Sequence, residues 1–272
     1  MMANKERIIH FVWQHIWLLI SLFFLALGVA ICVRSDLGSS VISSAPYSFS
    51  LAGAEGLVPP LSLGMYTNIL NVLLVTGQIV VLRRQFQAMQ LLQLVIGTVF
   101  GVLIDFSMYL TSFFAFFNLT TQLIAMIVGS SVMAFGVAME IRCASITMPG
   151  EGLPAALSKK TGKPFSTMKI YVDISLVALA ILSMYAFFGE WKWNIVGVGT
   201  LFAMVYCGVA VKFISRRLGW FDTILGYHPG FRYFFGLAKF LKQHNEESFS
   251  PEGGTDEHYE GEDLETAGEH QE

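Results

Sequence analysis

The sequence predicts an all-α membrane protein with six transmembrane helices, arranged as two inverted three-helix repeats that each contain a short broken or re-entrant helix. Three observations predict this fold class: the composition, six long apolar segments and a weak internal repeat. The 272 residues are 54% hydrophobic and 14% charged, with a mean hydropathy of +0.58. Soluble domains carry about 25% charged residues. The composition therefore indicates a chain that lies mostly in a membrane.

Six segments are long and apolar enough to span a bilayer, which takes roughly 20 residues. They cover about 13–33, 63–82, 90–112, 118–139, 168–188 and 194–214. The first segment follows Lys5 and Arg7, as the apolar core of a cleaved signal peptide would. It is too long for that role and no small-residue cleavage site follows it, so we interpret it as a retained helix.

The distribution of basic residues predicts the orientation, because cytoplasmic loops carry an excess of Lys and Arg. With the N-terminus inside, fifteen of the seventeen Lys and Arg residues face the cytoplasm, and only Arg34 and Lys192 face outward. We therefore expect a multi-pass protein of the bacterial inner (plasma) membrane with both termini in the cytoplasm.

Two parts of the chain repeat at a separation of 108 residues. Gly28-Val29-Ala30 aligns with Gly136-Val137-Ala138, Arg34 with Arg142, Pro46 with Pro154 and Ser50 with Ser158. At a separation of 102 residues, Gly97-Thr98-x-Phe100 aligns with Gly199-Thr200-x-Phe202. This predicts one repeat over residues 1–112 and a second over 113–217. Three spans per repeat invert the second copy relative to the first, an arrangement found in several secondary transporters.

A short semi-polar helix is predicted after the first span of each repeat, in VISSAPYSFS and in PGEGLPAALSKKTGKP. At about ten residues it is too short to span, so it either re-enters the membrane or lies on its surface. Pro154 is expected in the first turn of the second short helix. Free N–H groups near Gly150, and near Gly38 and Ser39 in the first copy, are expected to attract an anion.

These residues resemble the YczE/YitT-like family of bacterial integral membrane proteins over about residues 15–217. Leu37-Gly38-Ser39-Ser40 is similar to the Leu-Gly-Thr/Ser-Ser part of the family pattern, but the proline and the acid that follow in the family are missing. Met148–Leu153 is similar to Gly-Pro-Arg-Asp-Gly-Leu, with Glu151 in the acidic place, and Leu157–Gly162 fits Leu-Ser-x-x-Thr-Gly. The resemblance implies a fold and not an activity, because the family has no settled biochemical function.

Polar residues in or beside the spans are candidates for a substrate or ion site, because a charge at the centre of a membrane helix costs about 2.5–3.5 kcal/mol on insertion scales. The candidates are Glu151, Asp105, Asp173, Asn68, Asn71, Arg34, Arg142, Gly38, Ser39 and Gly150. In a site, Glu151 would contact a cation or a proton, or would pair with Arg142 or Arg34.

Each charged candidate also has a structural alternative. Asp173 can pair with Lys169 four residues earlier on one helix face. Asp105 can extend outward to water, and Glu151 can be an acid favoured at a helix N-terminus. Arg34 and Arg142 can anchor helix ends.

The C-terminal part of the chain differs from the spans. Within 218–245, the segment Phe231–His244 alternates aromatic and basic residues, which predicts an amphipathic helix that lies in the membrane interface or packs on the bundle. Residues 246–272 contain eleven Asp or Glu and no Lys or Arg, which predicts a dispensable disordered tail.

The sequence contains no catalytic motif, and its three cysteines have no C-x-x-C spacing, so we expect neither an enzyme nor a cofactor nor a metal site. Basic residues follow the loops as membrane topology requires, which argues against nucleic acid as a partner. We expect a small secondary transporter or permease, with the lipid bilayer, an unidentified small molecule or ion and a second copy of the chain as partners. The alternative is a non-transporting membrane scaffold that acts through its cytoplasmic loops and tail.

Overall fold

A computed structural model describes residues 2–114, 118–143 and 147–221, with side chains from residue 12 onward. Within this part of the chain, every regular element is a helix. The eight α-helices are α1 (Met2–Arg34), α2 (Val41–Ala54), α3 (Leu63–Leu82), α4 (Leu92–Leu110), α5 (Leu119–Cys143), α6 (Pro149–Thr161), α7 (Phe165–Phe188) and α8 (Val198–Arg217). The predicted amphipathic segment and the acidic tail lie outside the described residues.

Six of these helices are long and apolar enough to cross a membrane, which confirms the six predicted spans. They cover Val12–Arg34, Leu63–Gln85, Ala88–Leu110, Leu119–Cys143, Phe165–Phe188 and Val198–Arg217. The other two helices, α2 and α6, have 14 and 13 residues and are too short to span. The two short helices were predicted in these places.

The ends of the helices have identifiable causes. Ser62 caps α3 by accepting a hydrogen bond from Met65 N at 3.1 Å. α6 ends at Gly162, whose φ of 71° favours glycine. Pro149 occupies the first position of α6, so Pro154 lies inside the helix and not in its first turn as expected.

α1 and α5 cross in close backbone contact at the two aligned glycines. A Cβ atom at Gly28 would overlap Met133 N, and one at Gly136 would lie 2.5 Å from Leu25 N. Leu25 and Met133 are themselves 108 residues apart. The contact of Gly28 with Met133 and the contact of Gly136 with Leu25 are therefore equivalent in the two halves of the chain.

The other helix pairs are also equivalent in the two halves. α1 packs on α4 as α5 packs on α8, α2 packs on α3 as α6 packs on α7, and α2 packs on α7 as α6 packs on α3. One pair departs from this equivalence: α3 and α4 pack closely, whereas α7 and α8, although described over their full lengths, form no comparable pair.

The sequence explains this departure. α3 and α4 approach through glycines, since a Cβ atom at Gly97 would lie 2.9 Å from Asn71 Nδ2. Where this interface has Asn68 on α3, the aligned position on α7 is Ile170, whose bulky side chain suits lipid better than a close helix contact. Ile170 is 56% exposed.

Both short helices are embedded in the bundle, where each packs against α3 and α7. Five of the first eight residues of α2 are buried, namely Ser43, Ser44, Ala45, Pro46 and Ser48. The buried residues of α6 include Pro149, Gly150, Gly152 and Pro154. This burial favours the re-entrant alternative over helices that lie flat on the membrane surface.

The surface between the two halves is apolar at its centre. There Leu70 and Leu74 of α3 form one cluster with Val172 and Leu176 of α7. The members of each aligned pair, Leu70 with Val172 and Leu74 with Leu176, are 102 residues apart. Apolar residues of both short helices also pack against this cluster. Apolar side chains therefore fill the middle of the bundle.

Candidate functional site

Charged side chains meet where the first turn of α6 faces α7. Lys169 Nζ lies 2.9 Å from Asp173 Oδ1 and 3.4 Å from Glu151 Oε1. The predicted pair of Lys169 with Asp173 is therefore confirmed. The expectation that Glu151 pairs with Arg142 or Arg34 is wrong, because Lys169 is its partner.

A fourth ionisable side chain, Glu140, reaches the same place from α5. Glu140 is 7% exposed, and its Oε1 accepts a hydrogen bond from Met148 N at 3.2 Å. Met148 is the residue before α6, so Glu140 holds the start of that helix. It also lies within electrostatic range of Glu151 and Lys169. We call Glu140, Glu151, Lys169 and Asp173 the charged cluster.

The aligned positions in the first half of the chain are neutral. The counterparts of the charged cluster are Cys32, Ser43, Thr67 and Asn71. Their exposed fractions are 0%, 1%, 1% and 2%, whereas the side chains of Lys169, Glu151 and Asp173 remain 28%, 27% and 15% exposed. At these four pairs of aligned positions, the charged residues all lie in the second half, and three of them are partly accessible.

The helices α7 and α8 do not form a close pair within the described part of the chain. In the first half, the corresponding helices α3 and α4 pack closely. The helix packing around the charged cluster therefore differs from the packing around its neutral counterparts.

The composition of the charged cluster suits a cation or a proton better than an anion. The N–H groups of Glu151 and Gly152 both donate to the Met148 carbonyl at 3.0 Å. The carboxylates of Glu140 and Glu151 lie beside the same turn, where like charge repels an anion. The structure therefore does not support the anion expected near Gly150.

Two glutamines from the first half contact the first turn of α6. Gln78 Nε2 of α3 donates to Gln93 Oε1 of α4 at 3.1 Å and to the Pro149 carbonyl at 3.5 Å. Gly152 permits this approach, because a Cβ atom there would lie 2.5 Å from Gln93 Oε1. Both glutamines are buried, with exposed fractions of 0% for Gln78 and 1% for Gln93.

Sequence reasoning missed Glu140, Gln78 and Gln93 as members of this region. The signal was present, because a glutamine within an apolar span is as unusual as the asparagines that were selected. What was missing is the position of α6, since only the fold shows which polar residues of the spans face its first turn.

Asp105 has a structural role that neither sequence-based alternative described. Asp105 Oδ1 accepts a hydrogen bond from Gly64 N at 2.8 Å, and its Oδ2 accepts one from Ser62 Oγ at 2.6 Å. A carboxylate at the N-terminus of α3 is favoured by the helix dipole. Asp105 therefore fixes the start of α3 from α4, away from the charged cluster, and does not extend outward.

Asn68 and Asn71 lie in the α3–α4 interface. Asn71 Nδ2 donates to the Gly97 carbonyl at 3.3 Å. Asn68 packs on Gly101, where a Cβ atom would overlap its amide. The structure brings neither asparagine to the charged cluster.

Arg34 and Arg142 both bind carbonyls at the end of the fourth helix of their own half. Arg34 Nη2 donates to the Met108 carbonyl at 2.9 Å, and Arg142 Nη2 donates to the Ser215 carbonyl. A cation near the last turn satisfies free carbonyls and is favoured by the helix dipole. The structure thus supports the interpretation that both residues anchor helix ends.

Near Arg34 lies Tyr47 of the short helix α2. Burial raises the pKa of Tyr47 to about 12, and the nearby Asp36 carboxylate acts in the same direction. The phenol is therefore neutral at physiological pH.

Gly38 and Ser39 dock on the segment that precedes α8. Gly38 has a φ of +121°, and a Cβ atom there would lie 2.8 Å from Gly197 N. Ser39 N and Ser39 Oγ donate to the Ile195 carbonyl at 3.2 Å and 3.0 Å. Since the Ser39 N–H group is already bonded, the structure does not support an anion site here.

Gly150 brings the two short helices together, because a Cβ atom there would overlap the side chain of Ile42 in α2. A cavity of about 380 Å³ lies beside α2 and α3. Its walls are apolar and include Pro46, Phe49 and Leu70. This cavity is therefore separate in chemistry from the charged cluster.

Comparisons with known proteins bear on the chain as a whole. A family model described as "Family of unknown function (DUF6198)" matches residues 12–216, which include both halves and the charged cluster. No curated protein and no solved structure matches the chain.

Proposed function

We propose that this chain, which belongs to the family of unknown function DUF6198, is a small secondary transporter or permease that carries a small charged solute. One observation carries the proposal. The charged cluster joins α5, α6 and α7 at the first turn of an embedded short helix, although the aligned first half builds the same helix with neutral residues. A charged group kept inside a membrane protein at this cost marks a candidate transport site.

The arrangement of the two halves supports the proposal. Helix contacts interchange between the halves, and each half has three spans, so the second half would be inverted in the membrane. We further propose the bacterial inner membrane as the location, with both termini in the cytoplasm and a homo-oligomeric assembly. The more specific assignment to the YczE/YitT-like family belongs to this proposal as well.

The geometry suggests how a solute would act. Lys169 of α7 links its helix to α6, because its ammonium contacts Glu151 of α6. The same ammonium also contacts Asp173, one turn further along α7. A charged solute that reaches Lys169 would compete for these ion pairs and loosen the link. Because α6 also packs on α3 of the first half, a shift of α6 would change the packing between the two halves.

The experiment uses purified full-length protein in proteoliposomes on a solid-supported membrane. Small amines, amino acids and carboxylates are applied in turn, and charge movement is recorded. We expect at least one solute to give a current that depends on the protein. The Lys169→Met variant should lose that current because the link between α6 and α7 is gone.

Lys192→Met is the matched control. Lys192 also pairs with a carboxylate, Glu55 Oε1 at 3.1 Å, and its side chain is 24% exposed, close to the 28% of Lys169. It lies outside the charged cluster, so its loss should leave the current unchanged. Absence of any current, or a current that survives Lys169→Met, would count against the proposal.

The apolar centre of the bundle favours a second candidate function. Leu70, Leu74, Val172 and Leu176 fill the interface between the halves, as suits a rigid membrane scaffold. Complementation of a deletion strain separates the two functions. If Lys169→Met rescues the strain as well as the wild type does, the scaffold is favoured.

A further inference from the structure

One buried polar atom beside α6 has no role in the proposed transport site. Gln78 is fully buried at 0% exposure, and its Oε1 has no hydrogen-bond partner among the described residues. This oxygen lies 2.8 Å from the position that a Cβ atom on Gly152 would take. It therefore faces the first turn of α6, at the contact between the two halves of the chain.

The orientation of the Gln78 amide follows from its neighbours. Its Nε2 donates to Gln93 Oε1 and to the Pro149 carbonyl, both of which are acceptors. Turning the amide over would direct an oxygen at these two oxygens and lose both bonds. The unpartnered atom is thus an acceptor, and burying it without a partner costs free energy.

Other oxygens lie near it. Gln93 Oε1 and the Pro149 carbonyl both contact the Gln78 amide. Pro154 has no N–H group, so it cannot donate to the Gly150 carbonyl one turn earlier in α6. The first turn of α6 and the two glutamines therefore gather neutral amide oxygens from both halves of the chain.

Two carboxyl groups lie beside the same turn. Glu140 Oε1 accepts a hydrogen bond from Met148 N, next to Pro149, and Glu151 belongs to the first turn of α6. Carboxyl groups near this turn favour a cation over an anion. Amide oxygens suit hard cations. Within the described part of the chain no carboxylate contacts Gln78 directly, which argues for a single positive charge.

We propose that Gln78 and Gln93, together with the carbonyls in the first turn of α6, form a binding site for an alkali-metal cation. Its role as a coupling ion rests on the proposed transport function, whereas the binding itself does not. A cation there would tie α3 and α4 of the first half to α6 of the second.

Thermal unfolding of the full-length protein in detergent tests the site. The midpoint is measured in chloride salts of Na⁺, K⁺ and N-methyl-D-glucamine at constant ionic strength. A ligand that binds only the folded state raises its stability. We expect Na⁺ or K⁺ to raise the midpoint by at least about 3 °C, with saturation, relative to N-methyl-D-glucamine.

Two variants should remove the ion-dependent shift, namely Gln78→Leu and Gln93→Leu. Asn71→Leu is the matched control, because Asn71 lies on the same helix, is 2% exposed and also has an amide oxygen with no partner in the described structure. The control should keep the full shift. If Gln78→Leu does not fold, Gln93→Leu still decides the question.

Three results would overturn the site: no shift with either ion, a shift that survives both glutamine variants, or an equal response to Mg²⁺ or Ca²⁺. If neither ion gives a shift, a bound water would be the remaining partner for Gln78 Oε1. Because the readout is binding, it can fail while solute currents persist, and it can succeed while no solute current is found.

Discussion

The two embedded helices, α2 and α6, occupy matching places in the bundle but have different neighbours. Where α6 meets Gln78 and Gln93, the aligned positions beside α2 are Ala180 and Ile195. Around α2, hydroxyl groups satisfy one another, as in the 3.0 Å bond from Ser183 Oγ to Ser48 Oγ. Around α6, the ion pairs of Lys169 with Glu151 and Asp173 are the main polar contacts with α7.

This difference separates what the fold requires from what it does not. The first half forms an embedded short helix with serines and apolar residues alone, so the charged cluster is not needed to build one. Features that both halves share, such as the glycine crossing and the arginine at the end of each first helix, belong to the fold. The charged cluster belongs to the second half alone, which is why we assign it to function.

The largest effect is expected at the glycine crossing, where the two halves should behave alike. Gly28→Val and Gly136→Val each place side-chain atoms against the backbone of the partner helix. We expect a loss of about 3 kcal/mol or more, seen as loss of monodisperse protein in size-exclusion chromatography. Gly208→Ala is the control, because no atom of the described residues lies within 4 Å of a Cβ atom there. A large loss from only one crossing variant would break the equivalence of the halves.

A smaller effect is expected from Lys169→Met. The substitution leaves the carboxylates of Glu151 and Asp173 facing each other without their common partner. Loss of a fully buried pair costs about 3–5 kcal/mol. With 28% of the Lys169 side chain exposed, solvent screening reduces our expectation to about 1–2 kcal/mol. Thermal unfolding measures the loss. A value near zero would show that these charges are solvated and do not hold α6 against α7.

Ser183→Ala tests the neutral contact between α7 and α2 and should cost about 1 kcal/mol. It removes the hydrogen bond between α7 and Ser48 of α2, which lies in a buried interface. Thermal unfolding should show this loss with no change in solute current, since the contact lies on the neutral side of the bundle. A loss of current would extend the functional region into the first half.

The smallest effect is expected from Lys192→Met. Its partner Glu55 has a side chain that is 51% exposed, and exposed ion pairs contribute about 0–1 kcal/mol. The unfolding midpoint should therefore stay close to that of the wild type. A loss as large as that of Lys169→Met would remove the distinction between the two ion pairs.

Much of this fold was accessible from the sequence. Six apolar segments predicted the six spans, and the aligned prolines Pro46 and Pro154 correctly predicted a short helix in each half. Such features depend on local composition, which the chain shows directly. The pair of Lys169 with Asp173 was predictable for the same reason, because four residues on one helix place them on one face.

The candidate site was less accessible, because its members come from helices far apart in the chain. Glu151 pairs with Lys169 of α7, and Asp105 of α4 accepts a hydrogen bond from the first turn of α3. Neither contact is encoded by a local spacing. The selected Asn68 and Asn71 and the overlooked Gln78 look alike in sequence, and only the position of α6 separates them.

The most direct test of the account replaces part of the charged cluster with the residues of the neutral half. The triple variant Glu151→Ser, Lys169→Thr and Asp173→Asn introduces the counterparts Ser43, Thr67 and Asn71. We expect a monodisperse protein that unfolds within a few degrees of the wild type but gives no solute current. A variant that fails to fold would show that the charges serve the structure, and one that still gives the wild-type current would show that they do not serve transport.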